Sequence, residues 1–279
     1  MTSETDPGLR RLVLRTLLGA FPGPTPPDWA LELVEQGLGG YTLFGFNVES
    51  PEQLAATTAA LSAVRADVLL AIDEEGGDVT RLAHATGSPY PGNAALGAVG
   101  DVGLTTRVYR AIGAELAAAG LNLNLAPTVD VNTADDNPII GTRSFGADPA
   151  RVAEHAAAAV AGLQEAGVAA CAKHFPGHGA TTTDSHVGLP VLDVSRSVWS
   201  ERDLPPFAAV VDAGTAAVMT AHVVVRALDD RPATTSAAVL RILREELGFE
   251  GAVVSDALDM RAIADAPGGR AAGAVRALT

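Results

Sequence analysis

The chain is short of cysteine, aromatics, basic charge and long apolar runs, and each shortage removes a class of explanation. A single cysteine, Cys171, leaves no internal disulfide framework and no thiolate zinc site. Within the apolar stretch Gly167-Val168-Ala169-Ala170-Cys171-Ala172 it reads as a small buried hydrophobe. Aromatics are 4% of residues against 48% for hydrophobics as a whole, so Ala, Val and Leu must fill the core. No apolar run reaches the ~20 residues of a membrane-crossing helix, and Arg10, Arg11 and Arg15 near the N-terminus are followed by no cleavage-like site. With 33 acidic against 19 basic side chains the formal charge is -14, which argues against a nucleic-acid or anionic-membrane surface. Two motifs are missing as well. There is no Gly-x-Ser-x-Gly elbow, and Asp73-Glu74-Glu75-Gly76-Gly77 leads to no Gly-Lys-Ser/Thr and carries three acids that would repel phosphate. These absences predict a cytoplasmic protein that acts on a small molecule, with no cofactor, no metal, no nucleic acid and no membrane.

What is present is a βα rhythm. Residues 1–38 read as a helical lead-in: an amphipathic helix from Pro7 to about Leu18, a Pro-rich turn, and a second helix capped by Asp28. Apolar strands are predicted at 40–44, 68–72, 121–127, 168–172, 216–222 and 251–256. Helices are predicted at 50–65, 104–119, 149–166, 205–213, 236–247 and 269–278. Alternation of this kind implies a parallel sheet, closed or open. Polar residues end strand after strand (Asp73, Asp130, Lys173, His222 and Asp256), and in a (β/α)8 TIM-type barrel they would converge on one mouth. Such a barrel needs eight strands, whereas six are clear. Either a strand hides near Leu189-Pro190-Val191-Leu192 or the chain stops before the last one. The second option is adopted here, with residues 1–279 as one catalytic barrel domain.

The densest chemistry lies in Lys173-His174-Phe175-Pro176-Gly177-His178-Gly179 and the following Asp184-Ser185-His186, where Pro176, Gly177 and Gly179 forbid a continuous helix. In Asp184-Ser185-His186 an Asp can orient an imidazole whose other nitrogen exchanges protons near neutrality, although the same residues would also suit a surface Asx turn. His174 and His178 have metal-pair spacing, but the intervening Pro-Gly removes the helix that such a pair requires. Asp256, just after Val253-Val254-Ser255, could attack a carbon centre or simply cap a helix. Arg81, Arg143 and Lys173 are donors suited to hydroxyls or a carboxylate.

Together these residues resemble glycoside hydrolase family 3, and within it the bacterial β-N-acetylglucosaminidase branch. The resemblance runs from about residue 38 to 262. It rests on Ile72-Asp73-Glu74-Glu75-Gly76-Gly77, Ala126-Pro127-Thr128-Val129-Asp130-Val131, Arg143-Ser144-Phe145-Gly146, the Lys-His-Phe-Pro-Gly-His-Gly run with its Asp-Ser-His, and Val254-Ser255-Asp256. The resemblance implies a (β/α)8 barrel and a two-step retaining hydrolysis of terminal β-linked N-acetylglucosamine. In it Asp256 would be the nucleophile, and His186, oriented by Asp184, the acid and then the base. Asp73, Arg81, Arg143, Lys173 and His174 would hold the sugar, Asp130 would support the pocket, and His178 would brace the loop. Three other outcomes stay open on the same scaffold: a phosphorylase, a β-glucosidase, and an inactive sugar-binding remnant.

Overall fold

The computed structural model describes residues 6–183 and 188–279. In chain order the first half contains α1 (Pro7–Arg15), β1 (Leu18–Gly19), α2 (Asp28–Gln36), β2 (Gly40–Leu43), α3 (Pro51–Val64), β3 (Leu69–Ile72), α4 (Asn93–Val99), α5 (Val102–Ala118), β4 (Leu123–Asn124) and α6 (Pro149–Glu165). The second half contains β5 (Ala169–Phe175), β6 (Val191–Leu192), α7 (Arg196–Arg202), α8 (Leu204–Asp212), β7 (Ala217–Thr220), β8 (Val224–Val225), α9 (Ala237–Arg241), β9 (Ala252–Ser255), α10 (Arg261–Ala264) and α11 (Gly269–Leu278). The major helices begin where local chemistry dictates. Ser50 caps α3 by accepting the Gln53 N–H, with Pro51 in the first turn, and Asp148 caps α6 in the same manner ahead of Pro149.

Seven strands form one parallel sheet in the order β1-β2-β3-β4-β5-β7-β9. All six expected strands are there. The seventh, β1, falls where the sequence suggests the end of a helix. In fact α1 stops at Arg15, and Leu18–Gly19 pairs with Gly40–Tyr41. A strand of two residues, one of them glycine, has no alternation to betray it. The Leu189–Leu192 region does not close a barrel, because β6 pairs with β8 in a separate two-stranded sheet. Among the described residues no strand joins β9 to β1, so the barrel is incomplete, as expected.

The sheet curls. One apolar layer lies between it and the helices, where Leu43, Leu70, Ile72, Ala170, Ala172 and Val218 belong to the large buried cluster. A second, smaller cluster fills the concave side and draws on nearly every strand: Ala71, Leu123, Leu125, Cys171, Ala217 and Met219, with Leu18 and Val254 packed against them. Leu18 and Val254 come from opposite edges of the sheet, so their sharing of one cluster requires curvature.

The helical layer is tightest where α5 meets α6. A Cβ on Gly162 would lie 2.4 Å from the backbone oxygen of Thr106. Gly162→Ala should therefore lose about 1–3 kcal/mol to overpacking, against a helix-propensity gain of at most ~1 kcal/mol. A lowered urea midpoint with an unchanged slope is the expected result.

Candidate active site

Side chains two residues apart in a strand share a face. Ala71, Cys171 and Val254 point into the inner cluster, and two positions further on stand Asp73 and Asp256, just past β3 and β9, and Lys173, inside β5 shortly before its end at Phe175. The alternation that builds the inner core thus brings an acid, a base and an acid to the top of one hollow. A bulge adds to this. Between the pairs Ala172–Val218 and Phe175–Thr220, β5 carries one residue more than β7, so its strand end is re-aimed at Lys173 and His174.

Lys173 is the chain's only lysine, and only 2% of its side chain is exposed. Its ammonium lies 2.7 Å from Asp73 Oδ1 and 2.7 Å from Glu75 Oε1. Glu75, equally buried, also accepts two hydrogen bonds from Arg143, Nε to Oε2 at 3.0 Å and Nη2 to Oε1 at 2.8 Å, and one from the Thr128 hydroxyl at 3.1 Å. Burial alone would raise the Glu75 pKa, but the Lys173 and Arg143 charges outweigh it and hold the carboxyl well below its usual range. Burial likewise disfavours charge on Lys173 and Arg143, and the carboxylates reverse this, so both pKa values are raised.

The neighbouring loop is built on Asp130. Its Oδ2 meets His174 Nδ1 at 2.7 Å, and its Oδ1 accepts the His178 N–H at 2.7 Å. Burial opposes ionisation of Asp130, and the His174 and His178 contacts overcome it, lowering its pKa. With Nδ1 at Asp130, the His174 Nε2 faces Arg143 Nη2 at 3.4 Å. Gly179 allows this loop to close. A Cβ there would lie 2.1 Å from Val131 O. Trp199 on α7 ties the loop down from outside by donating from Nε1 to Pro176 O at 2.8 Å.

Glu74 points away from Asp73 and Glu75 and accepts the N–H groups of Arg81 and Leu82 at 2.8 and 3.0 Å, which fixes the turn that carries Arg81. The Arg81 Nη2 stands 3.8 Å from Asp73 Oδ2. Its Nε is buried and has no hydrogen-bond partner among the described residues. A buried orphan donor beside a partly exposed carboxylate is what a polyhydroxylated ligand would complete.

Asp256 is partly exposed. Its N–H donates to Thr220 O at 3.0 Å, and its Oδ1 accepts the Ala257 N–H at 2.8 Å. Its charge reaches both Cys171 and His178. Burial raises the Cys171 thiol to about 12, Lys173 opposing and Asp73 and Asp256 assisting. Burial lowers the His178 pKa, and His174 adds to this while Asp130 and Asp256 resist it.

The structure thus brings together Asp73, Arg81, Arg143, Lys173 and His174, and sets Asp256 on the same inner face. Asp184 and His186 lie outside the described residues. Glu74 and Glu75 are both taken up within the protein, Glu74 by the Arg81 and Leu82 N–H groups and Glu75 by Lys173 and Arg143. Glu75 is the hub that the motif reading passed over. Its signal was available: Asp73 and Glu75 are two apart, hence on one face, opposite the only lysine in the chain. Among the described residues no group of three or more His, Cys, Asp or Glu side chains is arranged to hold a metal ion.

The model of the glycosyl hydrolase family 3 N-terminal domain matches residues 27–279. A β-hexosaminidase A of Pseudoalteromonas piscicida is 39% identical over 264 residues, covering 86% of this chain and 44% of that protein. A β-hexosaminidase of Nitrosomonas eutropha is 40% identical over 233 residues, covering 81% of this chain and 66% of that protein. The chain thus spans less than two thirds of either relative. A solved family 3 β-N-acetylglucosaminidase from Paenibacillus sp. superposes with a TM-score of 0.91 at 42% identity, over 96% of this chain and 53% of that one. NagZ from Neisseria gonorrhoeae, solved with N-trifluoroacetyl-D-glucosamine, gives 0.87 at 33% identity, over 94% of this chain and 78% of that one.

Glu75→Gln would leave Lys173 and Arg143 facing a neutral amide, at an expected cost of about 3–5 kcal/mol. The stabilisation from ionised Glu75 is fully present above its ordinary value of 4.5 and fades as pH falls below it. The variant should therefore show a flatter acid limb in urea unfolding than the parent. Lys173 acts in the opposite sense, stabilising fully below its ordinary 10.5 and losing effect only as pH rises through its higher folded value. Selective 15N-lysine labelling should give one side-chain signal, still that of an ammonium in mildly alkaline buffer.

Proposed function

The chain belongs to glycosyl hydrolase family 3, and from that membership we propose that it is a retaining exo-β-N-acetylglucosaminidase. Its substrate would be terminal β-linked N-acetylglucosamine on peptidoglycan-derived fragments in the cytoplasm. The observation that carries the reading is the grouping of Asp73, Lys173 and Asp256 at the top of one inner face, with Arg81, Arg143 and His174 around it. The bound sugar of the gonococcal relative is of the same class. Among the described residues no helix is long and apolar enough to cross a membrane.

In this mechanism a terminal sugar sits in the hollow, its hydroxyls donating to Asp73 and accepting from Arg81, Lys173 and Arg143. These groups are already fixed by their own ion pairs, so little ordering is needed on binding. Oδ2 of Asp256 accepts no hydrogen bond among the described residues, and that oxygen attacks the anomeric carbon. The C1–O bond to the leaving group breaks, and the leaving oxygen takes its electron pair and a proton from the His186 imidazolium, which Asp184 favours. Positive charge that builds on the ring in the transition state is met by the Asp256 carboxylate. In the second step the now neutral His186 removes a proton from water as its oxygen bonds to C1. The C1–Asp256 bond breaks and returns the carboxylate. Two inversions give net retention.

Asp256→Ala should lower turnover of an aryl β-N-acetylglucosaminide by on the order of 10⁴-fold. Azide should partly restore it, with a glycosyl azide of inverted configuration. Undiminished activity in this variant would discard the assignment. His186→Ala should harm substrates with poor leaving groups far more than activated aryl glycosides, and equal losses on both would contradict the acid role.

A further inference from the structure

His222 is a polar strand-end residue to which the mechanism above gives no task. It lies two residues beyond β7 and is fully buried. Its Nε2 is 2.9 Å from the backbone oxygen of Ala257, and its Nδ1 is 2.8 Å from the hydroxyl of Thr234. A carbonyl oxygen can only accept, so Nε2 carries a proton and donates it there. The Thr234 hydroxyl is itself anchored, lying 3.0 Å from Ala221 O and 3.3 Å from the Thr220 hydroxyl. The imidazole is thus clamped at both nitrogens.

Ala257 is the residue after Asp256, and three successive peptides around the pair each carry one hydrogen bond. Asp256 N–H donates to Thr220 O at 3.0 Å, Ala257 N–H donates to Asp256 Oδ1 at 2.8 Å, and Ala257 O accepts from His222. Thr220 and Asp256 also connect through the β7–β9 register, in which Thr220 pairs with Ser255. β9 is an edge strand of the sheet, so the strand itself supports its end from one side only. The His222 bond is a tether to the turn beyond that edge. Attack at an anomeric carbon tolerates little angular error, and displacement by about 1 Å can cost 10²-fold in rate.

We propose that His222 is a positioning residue, whose Nε2–H···O=C bond to Ala257 fixes the turn that aims the Asp256 carboxylate at the anomeric carbon. The inference rests on the nucleophile reading of Asp256 and adds to it a residue bonded to the turn that carries that carboxylate. A role in packing alone would affect folding and sugar binding together. A role in aim would lower the chemical step and leave binding intact.

The test compares His222→Leu, which removes the bonds to Ala257 O and Thr234, with His222→Gln, whose side-chain amide can again donate to Ala257 O. Asp256→Ala is measured in parallel. For each, kcat and KM on an activated aryl β-N-acetylglucosaminide are determined, with the inhibition constant of free N-acetylglucosamine and a thermal melt. His222→Leu should lose about 10²-fold in kcat, with the inhibition constant unchanged, and His222→Gln should recover most of that loss. Wild-type kcat in His222→Leu, equal losses of binding and turnover, or no recovery in His222→Gln would overturn the proposal. Should His222→Leu fail to fold, Thr234→Val removes the hydroxyl that orients the ring. It should lower kcat with binding preserved, and unaltered kinetics would overturn the proposal. If Asp256→Ala stays active, the nucleophile reading falls and this inference with it. If Asp256→Ala is inert while His222→Leu is normal, only the role of His222 falls.

Discussion

A lysine can be buried only where anions meet it, and the site is organised by that requirement. Lys173 is almost wholly enclosed between Asp73 and Glu75. An isolated ammonium in such a place would lose its proton or unfold its surroundings. Glu75 in turn can stay ionised at full burial because Arg143 grips both of its oxygens. Each charge is therefore the condition for the next, and the chain of partners runs from β3 through β5 to the loop that carries Arg143. Strand order and loop geometry follow from it as much as from apolar packing.

A network of this kind stores orientation as well as energy. Two of the three ammonium hydrogens of Lys173 and three of the guanidinium hydrogens of Arg143 are committed to protein acceptors. Asp130 holds His174 in the same way, and Glu74 the turn at Arg81. Lys173, Arg143 and His174 are thus each held by a buried carboxylate, Glu75 for the first two and Asp130 for the third. Asp256 differs. It sits on an edge strand, is partly exposed, and depends on backbone bonds to Thr220 and Ala257.

Much of this was legible in the sequence, and for physical reasons. The parallel sheet announced itself through apolar runs alternating with Ala-rich helices, and the polar residues closing those runs marked the mouth. What stayed hidden was determined by contacts distant in the chain. Leu18–Gly19 is a strand only because Gly40 and Tyr41 lie beside it. Glu75 is a hub only because Lys173 and Arg143 arrive about 100 and 70 residues later. Val191–Leu192 pairs outside the main sheet with a partner no local pattern could name. Motif reading singled out candidate residues one by one, and only the fold showed which hold the others in place.

The central claim is that the inner-face carboxylate at the end of β9 bonds to the sugar. Incubation with a fluorinated, slowly deglycosylated analogue of an N-acetylglucosaminide, followed by peptide mapping of the trapped protein, tests it most directly. The account predicts a single glycosyl adduct on the peptide containing Asp256, absent from Asp256→Ala. An adduct recovered on any other side chain would contradict it.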